Sequence, residues 1–311
     1  MPQPPDRAAP PAPPASPAPP APPVPVIRLL AVDIDGTLLD SRGRLPDAHR
    51  EALVEAAARG IEVALVTGRS FHFTKPVADL LPIALTLIVN NGAVVKRKNG
   101  ETELRHLLSR DAARHILAHT QHLEDSVAVV FDRPDERQIV FDRMDWTHPN
   151  RRGYYEKNKA YITAMPSPLS DVLTEDPIQV MFNGSVEPMR ALVAVLRALQ
   201  IADRFAVAIT EYELRDFALV DVNGAGCSKG ATLARWAASR GLTPDAVMAV
   251  GDNLNDVEML DFAGTAILMG NAADAMKGRG YDVTGSNDEN GLARAIYEKL
   301  NIADCGLRSA D

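Results

Sequence analysis

The amino-acid sequence predicts an α/β fold in which a core with a parallel sheet is interrupted by an inserted α+β domain. Apolar strand-like runs and helical stretches alternate up to about residue 92 and again after residue 229. Between them, a helix followed by two strand-like runs occurs twice, which is typical of an antiparallel sheet with helices on one face. We therefore expect core segments at 26–92 and 217–311, and an inserted domain at 93–216.

The first core segment predicts strand, helix, strand, strand. Val26–Val32 is a nearly continuous apolar run, as expected for a buried strand. Apolar residues recur at helical spacing over Pro46–Arg59, and Gly60 is a typical helix end. Ile61–Val66 and Leu85–Val89 are further apolar runs, so this segment predicts βαβ units and a parallel sheet.

The other predicted elements follow the same two patterns. In the inserted domain we expect two helix–strand–strand units, namely Arg110–Leu123, Val127–Phe131 and Gln138–Phe141, then Glu187–Leu199, Phe205–Ile209 and Phe217–Val222. Residues 146–174 are polar and irregular and predict no element. In the second core segment we expect helix Gly230–Ser239 capped by Ser228, strands Ala246–Val250 and Thr265–Met269, and helix Gly291–Leu300 after the capping-box spacing of Ser286 and Glu289.

Composition narrows the class of protein. The chain has 46% hydrophobic and 24% charged residues, which are ordinary values for a globular protein. Its net charge of −8 argues against a nucleic-acid partner, and no apolar run reaches membrane-spanning length. Cys227 and Cys305 match no metal-binding spacing, so we expect free thiols in a reducing compartment, the cytoplasm. Residues 1–25 form a tail rich in proline and alanine, which we expect to be disordered.

The most informative motif is Asp33-Ile34-Asp35-Gly36-Thr37, which follows the first predicted strand directly. In open α/β sheets, ligands bind at the carboxyl ends of the strands. One carboxylate can attack phosphorus, while a second can transfer protons to the leaving group and from water. Gly36 allows a sharp turn beside such a site. An ordinary Asp-Gly turn is the competing interpretation of this motif.

Three other segments are weaker taken singly. Thr67 and Gly68 follow a strand and can bind a phosphoryl oxygen through hydroxyl and backbone N–H groups, although Thr-Gly is often only a turn. Lys229 begins a helix, where a solvated lysine is the commoner interpretation. Asp252, Asn255 and Asp256 follow a strand in a loop that could simply cap a helix. Taken together, these segments predict one phosphate-binding edge of the sheet. At that edge we expect four aspartates to converge, namely Asp33, Asp35, Asp252 and Asp256, which would repel one another unless a cation such as Mg²⁺ lay between them.

The four segments, in this order, resemble the haloacid dehalogenase (HAD) superfamily, and especially its Cof-type phosphatases with a type IIB cap. The resemblance covers about residues 27–300 and includes Asn90–Ala93, Met269–Ala272 and Ser286–Gly291. It implies a Rossmann-like core with an inserted type IIB cap. It also implies roles: Asp33 as nucleophile and Mg²⁺ ligand; Asp35 as general acid/base and a metal ligand through its backbone carbonyl; Asp252 as metal ligand; Thr67, Gly68, Lys229 and Asn255 as phosphoryl-binding residues; and Asp256 as a supporting residue.

The resemblance further implies a Mg²⁺-dependent phosphatase that hydrolyses small phosphorylated metabolites through an aspartyl-phosphate. Sugar phosphates, the phosphoribitylamino-pyrimidine of riboflavin synthesis, FMN and pyridoxal phosphate are the candidate substrates. A phosphosugar mutase is the first alternative, because type IIB caps also occur in phosphomannomutases. A non-catalytic binding protein on the same fold is the second. The sequence predicts no oligomeric state.

Overall fold

The computed structural model describes residues 27–133, 137–166, 168–212 and 215–301. The predicted tail at 1–25 and Cys305 lie outside the described residues. Two sheets, of eight and six strands, organise the rest of the chain. No helix in these ranges is both long and apolar enough to span a bilayer.

The strands, in chain order, are β1 (Leu29–Val32), β2 (Glu62–Val66), β3 (Thr86–Val89), β4 (Val94–Arg97), β5 (Thr102–Arg105), β6 (Val127–Val130), β7 (Ile139–Phe141), β8 (Ile162–Ala164), β9 (Gln179–Gly184), β10 (Phe205–Tyr212), β11 (Phe217–Gly224), β12 (Val247–Gly251), β13 (Thr265–Leu268) and β14 (Asp282–Val283). The helices are α1 (Asp47–Ala58), α2 (Phe71–Asp79), α3 (Arg110–His119), α4 (Pro149–Asn158), α5 (Val186–Arg197), α6 (Lys229–Ser239), α7 (Val257–Phe262) and α8 (Gly291–Lys299). Most predicted elements are present within a few residues. Strands β4, β5, β9 and β14 and helices α2 and α7 were not predicted, and the unassigned segment 146–174 contains α4 and β8.

The core sheet has the strand order β14-β13-β12-β1-β2-β3-β4-β5. Strands β14 to β3 pair in parallel, and β4 and β5 extend one edge as antiparallel strands. The middle strand β1 is fully buried, which explains its continuous apolar run. Parallel pairing brings the carboxyl ends of β1, β2 and β12 to the same edge of the sheet, as predicted.

Helices cover both faces of the core sheet. Successive residues of β1 point to opposite faces, so each face can bury its own apolar cluster. Leu30 and Val32 belong to an apolar cluster with α1 and α8. Leu29 and Ala31 belong to a cluster on the opposite face with α6 and α7. The core is therefore a three-layer α/β structure, as the alternating sequence pattern predicts.

The second sheet, with the order β10-β11-β9-β6-β7-β8, belongs to the inserted domain. Its pairs are antiparallel except for β7 with β8. Apolar residues of α3 and α5 share one cluster with this sheet. Both predicted helix–strand–strand units are therefore present, and the unpredicted β9 lies between β6 and β11.

The strand pairing differs from the predicted division at residues 93 and 216. Strands β4 and β5, placed in the inserted domain by the sequence, pair in the core sheet, since the chain after β3 turns back along the sheet edge. Strand β11 was predicted as part of a helix–strand–strand unit of the inserted domain, although the boundary at residue 216 left it in the core. It pairs with β9 and β10, so the boundary lies too early. By pairing, the chain leaves the core sheet after Arg105 and leaves the second sheet after Gly224. We call the part between these residues the cap.

Candidate active site

The loop after β1 is fixed against the loop after β12. The Asp33 N–H donates to the Val250 carbonyl, which continues the β1–β12 ladder by one residue. Gly36 has a φ of +85°, and a Cβ at this position would overlap the Asp252 carboxylate. The Thr37 hydroxyl donates to Asp252 Oδ1 at 3.0 Å. These contacts hold Asp33, which follows β1, close to Asp252, which follows β12.

Three buried carboxylates meet at this edge. Asp33, Asp252 and Asp256 each offer an oxygen atom, and these oxygens lie within 4.8 Å of one another. Burial, and then the charge of Asp256 and Asp35, raise the pKa of Asp33 to about 7, although Lys229 opposes the shift. Burial and the charges of Asp33 and Asp256 raise the pKa of Asp252 well above its usual value. The cluster thus concentrates negative charge that a cation would stabilise.

Lys229 supplies one positive charge to this cluster. Its Nζ lies 2.6 Å from Asp33 Oδ1 and 2.6 Å from Asp256 Oδ1. Burial by itself would lower the pKa of Lys229, but the charges of Asp256 and Asp33 outweigh it and raise the pKa. The residue is 2% exposed, so the interpretation of Lys229 as a solvated lysine is wrong.

Both carboxylate oxygens of Asp256 already have hydrogen-bond partners within the protein. Its Oδ1 binds Lys229, and its Oδ2 accepts the backbone N–H groups of Asp252 and Asn253 at 3.0 Å each. Asp33 and Asp252 are therefore better placed to ligate an ion, and Asp256 to orient the loop and the lysine. Carboxylate oxygens are the hard ligands that Mg²⁺ prefers, so this donor set fits a divalent cation.

Asp35 does not join the carboxylate cluster through its side chain. Both of its oxygens bind the Arg69 guanidinium, at 2.7 Å from Nε and 2.5 Å from Nη2. Arg69 also donates to the Phe73 carbonyl at 3.3 Å. The sequence offered a signal for this partner, since Arg69 directly follows the Thr-Gly of the phosphate-type motif, but we assigned it no role.

Thr67 and Gly68 follow β2, whose carboxyl end lies beside that of β1. The Thr67 hydroxyl accepts the Arg69 N–H at 3.1 Å, which closes the loop. A Cβ on Gly68 would come within 3.3 Å of the Asn91 side-chain amide. The same amide accepts from Asn255 Nδ2 at 3.0 Å, so the predicted phosphate-binding residues of two loops meet at Asn91.

The cap reaches this edge through residues that sequence reasoning missed. Asp221 of β11 accepts from Asn91 Nδ2 at 2.8 Å. Burial raises the pKa of Asp221 to about 7, although the Asn91 hydrogen bond opposes the shift. Burial, and then the charges of Asp35 and Asp33, raise the pKa of Tyr212 at the end of β10. A charged residue inside the apolar run Phe217–Val222 was the available signal for Asp221.

Comparison with known proteins identifies the family of this chain. A family model described as haloacid dehalogenase-like hydrolase matches residues 30–296. The chain belongs to this family. The predicted family, and the class of enzyme that it implies, are therefore confirmed.

Curated relatives of this HAD-family chain include two bacterial phosphatases. A 5-amino-6-(5-phospho-D-ribitylamino)uracil phosphatase of Bacillus subtilis is 29% identical over 270 residues, which cover 87% of this chain and 94% of the relative. A pyridoxal phosphate phosphatase of Escherichia coli is 28% identical over 283 residues, covering 88% and 98%. Both relatives are aligned over nearly their whole length.

The fold is shared with the solved structure of BT4131, described as a HAD subclass IIB sugar phosphatase. The TM-score is 0.70 at 21% identity, and the match covers 89% of this chain and all of that chain, 100%. At this identity the likeness concerns the fold alone. It confirms the predicted HAD core with an inserted type IIB cap.

Proposed function

We propose that this HAD-family hydrolase is a Mg²⁺-dependent phosphatase that cleaves small phosphorylated metabolites through an aspartyl-phosphate on Asp33. The observation that carries the proposal is the buried cluster of Lys229 with Asp33, Asp252 and Asp256 at the carboxyl edge of the core sheet. A lysine held between carboxylates beside further potential phosphate ligands suits phosphoryl transfer, which depends on charge stabilisation and positioning.

Asp33 is the proposed nucleophile. Because Lys229 binds its Oδ1, we assign the attack to Oδ2. A bond forms between this oxygen and phosphorus while the ester bond breaks, and the electron pair leaves with the ester oxygen. Lys229 stabilises the charge of the transferring group and keeps the Asp33 carboxylate in position.

Asp35 is the proposed acid and base. In the first step it gives a proton to the leaving oxygen. In the second step it takes a proton from water as the water oxygen attacks phosphorus, and the bond from phosphorus to Asp33 breaks to release phosphate. The Arg69 guanidinium holds Asp35 beside the cluster, and this pair must open when Asp35 carries a proton.

Asp33, Asp252 and the backbone carbonyl of Asp35 are the groups we propose for holding Mg²⁺, which when bound would neutralise phosphoryl charge. Thr67, Gly68 and Asn255 are the proposed hydrogen-bond donors to the phosphoryl oxygens. The Thr67 hydroxyl, the backbone N–H groups of this loop and the Asn255 amide are all hydrogen-bond donors, and phosphoryl oxygens accept hydrogen bonds. The names of the curated relatives support a phosphorylated riboflavin precursor and pyridoxal phosphate as candidate substrates, and the fold neighbour supports a sugar phosphate.

The test is phosphate release from these three kinds of substrate, with and without Mg²⁺. We expect Mg²⁺-dependent release by the wild-type protein and none by Asp33→Asn. Asp274→Asn is the matched control, because its side chain is exposed and forms a surface ion pair with nearby Lys277 at 2.7 Å. Full turnover by Asp33→Asn would overturn the proposal. Transfer of the phosphoryl group to a second sugar hydroxyl would favour the mutase.

A further inference from the structure

A chain of hydrogen bonds, buried on the cap side and partly buried at its end, connects the cap to the proposed phosphoryl-binding residue Asn255. Asp221, on cap strand β11, accepts from Asn91 Nδ2 at 2.8 Å. Asn91 Oδ1 in turn accepts from Asn255 Nδ2 at 3.0 Å. Asn91 and Asp221 are 1% and 4% exposed, so water competes little for these bonds.

We propose that Asp221 and Asn91 are positioning residues that set the orientation of the Asn255 amide for phosphate binding. This inference rests on the proposed function, because it assumes that Asn255 contacts the phosphoryl group.

The direction of each hydrogen bond is fixed from the cap side. When ionised, Asp221 can only accept hydrogen bonds, and it accepts from two amides, those of Asn91 and Gln179, the latter at 2.7 Å. The Gln179 orientation is itself fixed, because its Oε1 accepts from Asn90 and Asn223 at 3.4 and 3.3 Å. The nitrogen of Asn91 must therefore face Asp221, which turns its oxygen towards Asn255.

The orientation of the Asn91 amide in turn sets that of Asn255. Its amide nitrogen faces the Asn91 oxygen and uses one N–H there. The second N–H of this nitrogen is left to donate to a phosphoryl oxygen. Without Asn91, rotation of the Asn255 amide by half a turn would present its carbonyl oxygen to the phosphate, which repels it.

Asn91 is also held by its backbone. It has a φ of +53°, in the left-handed region, and its N–H donates to the Thr67 carbonyl at 3.0 Å. Its side chain packs on Gly68. Asn91 therefore lies between both proposed phosphate-binding loops and the cap, with its side-chain amide held in one place.

Asn91→Gly is the decisive variant, because glycine tolerates the left-handed backbone and removes only the amide. Asn90→Gly is its matched control, because Asn90 has a φ of +51° and is equally buried. It removes a long 3.4 Å bond to Gln179 Oε1, but the 3.3 Å bond from Asn223 to the same oxygen keeps the Gln179 amide in place. The probes are inorganic phosphate, as a competitive inhibitor, and p-nitrophenyl phosphate as substrate. Loss of one positioning hydrogen bond should weaken phosphate binding and raise KM about tenfold in Asn91→Gly, with a smaller change in kcat.

A double-mutant cycle separates positioning from general damage. In an Asn255→Ala background, Asn91→Gly should have no further effect on phosphate inhibition, because the residue it positions is gone. Asp221→Asn should behave in the same way as Asn91→Gly, and it provides a second variant if Asn91→Gly does not fold. Asn90→Gly should change phosphate inhibition by less than about twofold, within the error of additivity.

The outcomes are distinguishable. Unchanged phosphate inhibition in both Asn91→Gly and Asp221→Asn, no effect of Asn255→Ala itself, or additive effects in the cycle would each overturn the positioning role while wild-type turnover stands. A wild-type protein without turnover would overturn the proposed function, and the positioning role with it. Non-additive loss of phosphate affinity, in variants that remain folded at the assay temperature, is the result we expect.

Discussion

At the scale of single residues, Asp33 and Asp35 are only two positions apart, yet their carboxylates have different partners. Asp33 binds Lys229 within the buried cluster, whereas Asp35 binds Arg69 and is partly exposed. This separation suits two chemical roles, since a nucleophile must stay ionised and fixed while an acid/base must exchange protons. The environment, and not the residue type, distinguishes the two aspartates.

The roles can be separated with Asp35→Asn and p-nitrophenyl phosphate. Nitrophenolate leaves without a proton, so the first step should survive while hydrolysis of the phosphoenzyme slows by about 10²–10⁴-fold. We expect a rapid burst of nitrophenolate of about one equivalent per protein, followed by slow turnover. An alkyl phosphate should give no burst. A burst in neither case would contradict the role of Asp35 as a base in the second step.

Another residue-scale prediction concerns His49, which is fully buried in α1. One ring nitrogen, Nδ1, donates to the Leu38 carbonyl at 2.9 Å, and Nε2 has no partner among the described residues. Burial lowers the pKa of His49, although the Leu38 bond and the Asp40 charge oppose the shift. The unfolded chain therefore binds a proton at a higher pH than the folded protein.

His49 should thus contribute stability above its ordinary pKa of about 6.5 that is lost as pH falls below it, by at most about 1.4 kcal/mol per pH unit. The free energy of unfolding in urea, measured between pH 5 and 8, should depend less on pH in His49→Gln than in wild type. The exposed His119 provides the control His119→Gln. Equal pH dependence of wild type and His49→Gln would contradict the assignment.

At the scale of elements, the turns after β1 and β3 decide the geometry of the site more than the strands do. The turn after β1 allows close contact with Asp252 only because Gly36 has no side chain. The turn after β3 likewise brings Gly92 so close to the start of α6 that a Cβ would overlap the Ser228 carbonyl. Glycine at these two positions therefore positions Asp252 and Lys229.

Gly36→Ala should impair both stability and metal binding. A positive φ disfavours alanine by about 1 kcal/mol, and the new Cβ would also displace the Asp252 carboxylate. Gly43→Ala is the matched control, since Gly43 has a φ of +73° and no atom lies within 4 Å of the place that a Cβ would take. The midpoint temperature of thermal unfolding should fall in both variants. The Mg²⁺ concentration needed for half-maximal turnover should rise only in Gly36→Ala. An equal rise in both would contradict the role of this close contact.

At the scale of the whole molecule, the site lies where two sheets meet. The two chain connections between core and cap run side by side. They are so close that a Cβ on Gly224 would overlap the Leu107 carbonyl. Cap residues also contact the core loops directly: Asn253 Nδ2 donates to the Glu211 carbonyl at 3.2 Å. Cap and core therefore share the residues that surround the carboxylate cluster.

Mg²⁺ should stabilise the whole chain through this cluster. Binding to the folded state alone adds about 2.7 kcal/mol at a hundredfold excess over Kd, and it relieves the repulsion among Asp33, Asp252 and Asp256. The midpoint of thermal unfolding should therefore rise with Mg²⁺ in wild type and in Asp274→Asn, but not in Asp252→Asn. The same rise in Asp252→Asn would place the metal elsewhere.

Local sequence was sufficient for much of this protein. Apolar periodicity predicted α1, and capping residues indicated the starts of α6 and α8. Uniform apolar runs predicted β1, β2 and β12, because these strands are buried between two helical layers. Polar residues at the ends of those strands predicted which side chains would gather, since parallel strands present the same ends at one edge.

Tertiary structure decided what local pattern does not encode. Strand β9 was missed, and the cap boundary was placed before β11, because pairing partners distant in sequence define both strands. The pairing of Asp35 with Arg69 depends on contacts in three dimensions. The hydrogen-bond chain from Asp221 through Asn91 to Asn255 does so as well. The physical reason is that periodicity reports burial, whereas the partner of a buried polar group depends on which strands and loops meet.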